Sequence, residues 1–335
     1  NRQMCIFDKI FVMMLQGVIN KMNELGKNGT PFLFIIDYDI DKPIVIPIDD
    51  INTDSILYSL NGVSNNIEEL VINNVLEFES FPVSRERYDN AFNYVQKHIR
   101  HGDSFLLNLT MPSTVSTNLT LKEIYYSTKA KYKLWVKDNF VVFSPEIFFQ
   151  TKGCKISSFP MKGTMDASLP NAEQKLLNSK KELAEHYTIV DLIRNELSIV
   201  AKNVRVERFR FIDNIATHRG ELLQMSSEIA GDLPDNYREY LGDIIFKMLP
   251  AGSISGAPKK KTLEVIKEAE QYKRGYYTGI MGIFDGENID SGVMIRYIEH
   301  TENGLVYKSG GGITSQSNVD EEYQELKDKI YIPIN

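Results

Sequence analysis

Lys162 stands in the pentapeptide Pro160-Met161-Lys162-Gly163-Thr164, directly after a strand-like run, where the glycine marks a turn that lets backbone approach a ligand closely. Its amine becomes a nucleophile when burial or a nearby cation lowers its pKa, since the ammonium form has no lone pair to give. A solvated turn lysine is the commoner meaning of such a residue taken alone, because lysine is mostly a surface residue. Two pairs of acids carry a second chemistry. Glu182 and Glu185 are three residues apart in one helix-like segment, and Glu322 and Glu325 are three apart in another, so each pair shares a helix face. Two such faces brought together supply the carboxylate oxygens with which Mg²⁺ is usually held, alongside waters and an anionic substrate. Either pair alone is more commonly a solvated face, with Lys180, Lys181, Lys327 and Lys329 as its ion-pair partners.

Two further segments expose backbone. Residues 250–259, Pro-Ala-Gly-Ser-Ile-Ser-Gly-Ala-Pro-Lys, join small residues to a helix start at Pro258, and their N–H groups suit an anion. This is no Walker A loop, because no Gly-Lys-Ser/Thr follows the first glycine at the required spacing. Gly310-Gly311-Gly312 lies between a strand and the acidic final helix, and reads as a hairpin end or as a second place of close backbone approach.

A mixed set of elements must position these groups. Residues 10–19 read as an amphipathic helix rather than a targeting segment, because Asp8, Lys9 and Gln16 interrupt the apolar run. No run approaches the ~20 apolar residues that span a bilayer. Residues 32–36 read as a buried strand, Ser84 as the N-cap of a helix ending near Gly102, and 104–110, 132–137 and 140–143 as strands. A helix is predicted over about 173–202, with Val190, Ile193, Leu197 and Val200 on one apolar stripe facing a sheet. Beyond it, 204–211 reads as a strand and 237–248 and 258–271 as helices. Residues 279–284, 289–299 and 305–309 read as hairpin strands, joined at Asp285-Gly286-Glu287-Asn288 and Glu302-Asn303-Gly304. A closing helix over 319–331 completes an α+β pattern rather than a doubly wound one. The polar stretch 52–69 is the least patterned.

The 335 residues carry 38 Lys plus Arg against 45 Asp plus Glu, and the net charge of −7 argues against nucleic acid as the main partner. Cys5 and Cys154 have no CxxC spacing and the five histidines show no zinc spacing, so a cytoplasmic location is expected and zinc is not. No repeat or long linker divides the chain. One domain over 1–335 is expected, with a shortened, divergent part over 1–80 and a catalytic core over 81–330.

Taken in order, these segments resemble the chorismate-utilising enzymes from about residue 81 to 329, and most closely their aminodeoxychorismate synthase component I branch. The resemblance is strongest in Leu249-Pro-Ala-Gly-Ser-Ile-Ser-Gly-Ala-Pro-Lys259, Arg274-Gly-Tyr-Tyr-Thr-Gly279, residues 290–296, Gly310-Gly-Gly-Ile313 and Glu322-Tyr-Gln-Glu325. Upstream, Gly102-Asp103-Ser104-Phe105, Ser144-Pro145-Glu146, the Lys162 pentapeptide and Lys181-Glu-Leu-Ala-Glu-His186 fall where the family has its own versions. The fold so implied is two large antiparallel β-sheets packed as a sandwich with helices outside.

The resemblance also implies roles. Glu185 and Glu325 match the family's magnesium ligands, with Glu182 and Glu322 as their water-linked partners. Arg296 and Lys329 match carboxylate-binding positions. Thr164, Gln224, Ser253, Gly256, Tyr277, Gly310, Gly311 and Gly312 match the substrate pocket. Glu146 matches the general acid that protonates the C4 hydroxyl as it leaves, and its distance of 16 residues from Lys162 fits a hairpin returning both side chains to one site. Lys162 separates the siblings: anthranilate synthases carry alanine there, whereas in aminodeoxychorismate synthases the lysine attacks C2 and ammonia then attacks C4 and expels it. Mg²⁺ is the implied cofactor, and chorismate and ammonia are the implied substrates. A separate glutamine amidotransferase subunit is the implied source of ammonia, for p-aminobenzoate and folate synthesis.

The chain departs from the family pattern at three places. Leu106 stands at the lysine base of isochorismate and salicylate synthases, and leucine cannot take a proton. Gln224 replaces a usual histidine, and Ala167 a frequent arginine. The shortened N-terminal part implies no bound tryptophan. Three readings stay open: aminodeoxychorismate synthesis, an anthranilate synthase-like or other chorismate reaction, and a non-catalytic chorismate-binding subunit.

Overall fold

Strands buried on both faces read as continuous apolar runs, and Phe32–Ile36 is one, with all five residues buried. The computed structural model describes residues 6–66, 76–217 and 220–334. In chain order, α1 (Ile6–Lys27) leads into β1 (Phe32–Ile36), β2 (Ile44–Pro47), β3 (Ile56–Leu60), β4 (Val63–Ser64) and β5 (Phe78–Phe81). Next come α2 (Arg85–His101), β6 (Leu106–Thr117), α3 (Leu121–Ser127), β7 (Tyr132–Val136) and β8 (Phe140–Ser144). Strands β9 (Ile147–Lys152), β10 (Lys155–Ser158) and β11 (Met161–Asp166) precede α4 (Ala172–Asn178) and α5 (Lys180–Leu197). A long ribbon, β12 (Lys202–Thr217) and β13 (Gly220–Asp232), leads to α6 (Leu241–Met248), β14 (Gly256–Ala257) and α7 (Lys259–Glu270). The described chain closes with β15 (Ile280–Phe284), β16 (Ile289–Val293), β17 (Tyr297–Thr301), β18 (Gly304–Ile313) and α8 (Val319–Asp328).

The strands form two antiparallel sheets of nine. The first runs β11-β13-β10-β9-β16-β15-β1-β2 with β12 also on β13, and the second β14-β6-β18-β17-β8-β7-β3-β4 with β5 also on β6. Their inner faces pack together through Leu33, Ile35, Met281 and Ile283 of the first sheet and Tyr58, Leu134, Phe140 and Val142 of the second. Helices α1, α5 and α6 cover the outer face of the first sheet, and α2, α3, α7 and α8 that of the second. Each large apolar side chain so buried contributes about 1.5–3 kcal/mol. The fold is therefore α+β, a sandwich with helices outside.

A polar tie crosses the sandwich. The Tyr132 hydroxyl of β7 donates to Asp290 Oδ1 of β16 at 2.5 Å, while Asn61 and Gln150 amides donate to Oδ2 at 2.6 and 2.8 Å. Burial pushes the Tyr132 phenol well up, and the Asp290 charge adds to it. Asp290→Ala is expected to cost about 1–3 kcal/mol, because it strands a buried hydroxyl. The midpoint of urea unfolding measures this loss.

Several boundaries differ from the sequence expectation. The helix expected over 173–202 is two, α4 and α5, broken at Ser179, whose backbone is extended. The strand expected over 204–211 is longer, and 237–240 is a 3₁₀ turn before α6. The run 289–299 is two strands in different sheets. After Val293 the chain leaves the first sheet, turns at Arg296 with φ +55°, and enters the second at Tyr297. Val293 and Met294 before this corner and Tyr297 and Ile298 after it are all buried, so the apolar pattern does not show it. Within 52–69, β3 and β4 form a short hairpin, and 67–69 lie outside the described residues.

Candidate active site

Two corners where the chain changes sheet lie side by side. One joins β8 to β9 through Pro145 and Glu146; the other joins β16 to β17 through Arg296. Phe143 N donates to Arg296 O at 3.0 Å and Val293 N donates to Glu146 O at 3.1 Å, so each corner holds the other. The structure thereby brings Glu146 and Arg296 together from sequence positions far apart. Arg296 Nε is buried with no hydrogen-bond partner among the described residues, and the guanidinium lies 5.3 Å from the Tyr331 ring centre. Tyr277 is buried beside this corner. Burial pushes its phenol up, with Arg274 and Arg296 pulling it back and Glu146 adding a smaller upward push.

The segment 250–259 closes over Glu146. Ser253 Oγ donates to Glu146 Oε1 at 2.6 Å, from a 3₁₀ turn over Gly252–Ile254. After it, Gly256 and Ala257 pair with Leu107 and Leu106 of β6. Gly256 has φ +126°, and a Cβ there would sit 1.9 Å from Leu106 O. That backbone region is essentially glycine's alone. Gly256→Ala is expected to destabilise the fold by more than the ~1–3 kcal/mol of the dihedral strain, since the clash is with backbone. A thermal melt of the variant against wild type reads it.

Gly310, Gly311 and Gly312 lie within β18, paired with Thr110, Leu109 and Asn108, rather than at a hairpin end. A Cβ on Gly311 would sit 3.2 Å from Glu322 Oε2 and 3.4 Å from Glu325 Oε1, so two carboxylates of α8 meet over bare backbone. Lys329 Nζ lies 2.5 Å from Glu325 Oε1 and donates to Gly310 O at 2.8 Å. Glu322 is buried and Glu325 exposed. Hard carboxylate oxygens at a backbone cleft fit Mg²⁺ chemically. Glu185 is on α5, and the Glu182 side chain lies outside what the structure describes. Among the described residues no three His, Cys, Asp or Glu side chains converge on a metal-sized point.

Lys162 occupies a bulged strand, not the turn expected from its sequence. Register along β11 and β13 shifts between Met161↔Ser226 and Thr164↔Gln224, and Gly163 has φ +84°. Bulges of this kind re-aim side chains and are over-represented beside active sites. The side chains of Lys162 and Thr164 lie outside the described residues, but register sets Thr164 opposite Gln224. The hairpin of β9 and β10 carries the chain from Glu146 back towards Lys162.

Sequence reading missed the scaffold under the loop. Glu270 and Arg274 form a buried bidentate pair at 2.9 and 2.6 Å, and Arg274 also donates to Ile254 O and Asn108 O. Their four-residue spacing at the end of α7 was the available signal, but it reads as an ordinary surface pair. Glu196 was missed too, for want of any motif around it.

A family model described as chorismate binding enzyme matches residues 58–335. An uncharacterized PabA-like protein of Pasteurella multocida is 46% identical over 323 residues, covering 96% of this chain and 100% of that protein. Aminodeoxychorismate synthase component 1 of Bacillus subtilis is 31% identical over 265 residues, 75% of this chain and 55% of the relative, so the match spans little more than half of that protein. Among solved structures, the menaquinone-specific isochorismate synthase MenF of Escherichia coli superposes with a TM-score of 0.71 at 14% identity, covering 95% of this chain and 81% of that one. Anthranilate synthase component I of Streptococcus pneumoniae gives 0.62 at 24% identity, covering 76% and 58%. Both structures share this chain's fold. Among the described residues, no helix is long and apolar enough to cross a membrane.

Proposed function

We propose that this chain, which belongs to the chorismate binding enzyme family, converts chorismate and ammonia to 4-amino-4-deoxychorismate. The observation that carries the reading is the paired corner: two chain turns bonded to each other through backbone carry Glu146, whose carboxyl is held by Ser253, and Arg296, whose Nε is buried with no hydrogen-bond partner among the described residues. A cation so placed suits a substrate carboxylate, and the adjacent acid suits a leaving hydroxyl. In this reading Lys162 selects among the reactions of the family; the similar proteins include ones named aminodeoxychorismate synthase component 1 and one named anthranilate synthase component 1, at 31–33% identity.

In this reading Arg296 and Lys329 bind carboxylates, with Thr164, Gln224, Tyr277 and the glycines of β18 lining the ring. Mg²⁺, when bound by Glu185 and Glu325 with Glu182 and Glu322 behind them, supplies charge neutralisation at a substrate carboxylate. The neutral Lys162 amine forms a bond to C2 while the C4–O bond breaks, and Glu146 gives its proton so that water departs. Ammonia then bonds to C4, the C2–N bond to Lys162 breaks, and the proton shed by the new ammonium returns to Glu146. Two displacements replace one difficult substitution. A glutamine amidotransferase subunit supplies the ammonia, and a cytoplasmic place in p-aminobenzoate and folate synthesis belongs to the same reading.

Incubation with chorismate, Mg²⁺ and ammonium, followed by mass spectrometry, tests it. 4-Amino-4-deoxychorismate is expected from wild type and not from Lys162→Ala. Anthranilate or isochorismate as the main product overturns the reaction, and tight binding without turnover points to the silent subunit. Gly311→Ala is expected to raise the Mg²⁺ concentration for half-maximal turnover by about 10–100-fold, the usual scale for disturbing groups around a metal. A Mg²⁺ titration of both proteins measures it.

A further inference from the structure

Glu196 is a buried carboxylate that the proposed reaction does not use. It sits in the last turn of α5 and is 6% exposed. Its Oε2 accepts from Gly252 N at 3.0 Å, and its Oε1 lies 2.8 Å from Lys259 Nζ, which also donates to Met248 O at 3.2 Å. Burial pushes the carboxyl up, and Lys259 and the Gly252 N–H oppose that push. The fit is close, because a Cβ on Gly252 would lie 2.8 Å from Glu196 Cδ. Gly252 and Lys259 stand on either side of Ser253, whose hydroxyl reaches Glu146 Oε1 at 2.6 Å. One side chain of α5 thus grips the loop before and after the residue that touches the acid.

We propose that Glu196 is a positioning residue, which fixes the backbone at Gly252 and through it the Ser253 hydroxyl that orients Glu146. The proposal rests on the assignment of Glu146 as the acid at the leaving hydroxyl. Its physical basis is that a loop alone leaves a serine hydroxyl several directions to point, whereas a backbone anchored one residue away leaves few. A displacement of the order of 1 Å at a catalytic group costs on the order of 10²-fold in rate.

Glu196→Gln keeps the size but replaces the charged acceptor of Gly252 N with a weaker neutral one and removes the charge that holds Lys259. We expect it to lower kcat for chorismate turnover by on the order of 10²-fold, with KM much less affected. In a Ser253→Ala background the same substitution is expected to cost little more, since residues acting through one contact are not additive. Equal losses in both backgrounds, or an unchanged kcat, overturn the proposal. Where Glu196→Gln does not fold, Lys259→Met opens the clasp from its other end and enters the same cycle. Hydrogen exchange reads the clasp without substrate: the Gly252 and Ser255 amides are expected to exchange faster in the variant than in wild type. A wild type that leaves chorismate untouched sinks the catalytic reading, and the exchange result then decides the clasp by itself. Unchanged protection at Gly252 overturns it.

Discussion

Glu146→Gln is expected to lower kcat for chorismate turnover by about 10²–10⁴-fold, the usual worth of a positioned general acid, while the protein melts at nearly the wild-type temperature. The fold does not depend on the acid proton. The backbone of residue 146 keeps its bonds, with N donating to Ser144 Oγ at 3.1 Å and O accepting from Val293 N at 3.1 Å. The glutamine amide oxygen still accepts from Ser253 Oγ, so the geometry of the loop survives. What the proposed reaction loses is the group that gives a proton to the departing C4 oxygen, and hydroxide is a far poorer leaving group than water. Steady-state kinetics with purified variant and wild type, at matched Mg²⁺ and ammonium, measures the loss. A variant within a few-fold of wild type would place the acid elsewhere.

Glu146 is legible in the sequence as a residue but not as a place. Glu146 is marked by its neighbours Ser144 and Pro145, yet nothing local in the sequence says that Arg296 stands beside it. The two meet because strands β9 and β16 pair in the first sheet and β8 and β17 in the second. Such pairings are long-range, and periodicity reads only the local chain. The same limit explains the corner at Arg296. The residues next to the corner, Val293 and Met294 before it and Tyr297 and Ile298 after it, are buried, so the apolar run continues through a change of sheet, and Arg296 with φ +55° marks the turn.

The glycines were better guides where they mark close approach. At Gly256 a methyl group would strike Leu106 O, and at Gly311 it would press on the carboxylates of α8. Gly163 misled, because positive φ serves a bulge as well as a turn, and β11 uses it for a bulge. Helix-forming residues on both sides of Ser179 hid the break between α4 and α5, whereas the end of α2 at Gly102, with φ +91°, follows the expected left-handed cap. The clasp of Glu196 has no sequence signature, since a glutamate within a helix reads as surface until its burial is seen.

Arg274→Met is expected to destabilise the protein by about 3–5 kcal/mol, the cost of leaving a buried charge without its partner. Both side chains of the Glu270–Arg274 pair are 1% exposed. Glu270 also accepts from Thr110 N and Thr110 Oγ1 at 2.8 Å each, and the guanidinium lies 4.5 Å from the Tyr38 ring. Burial pushes the Tyr38 phenol up to about 12, against the pull of Arg274. Many buried ion pairs can be exchanged for apolar residues of similar volume at no cost. This one is expected to differ, because the pair satisfies backbone as well as itself. Glu270→Leu with Arg274→Met strands the Thr110 N–H and the carbonyls of Ile254 and Asn108, and each buried unsatisfied group costs about 1–3 kcal/mol. The double variant should therefore remain less stable than wild type in urea unfolding rather than recover. Ile254 follows Ser253 directly, so activity is expected to fall in this variant at urea concentrations where its sheets are still intact. A double variant as stable and as active as wild type would show that the pair is replaceable packing and that the loop is held in place by other contacts.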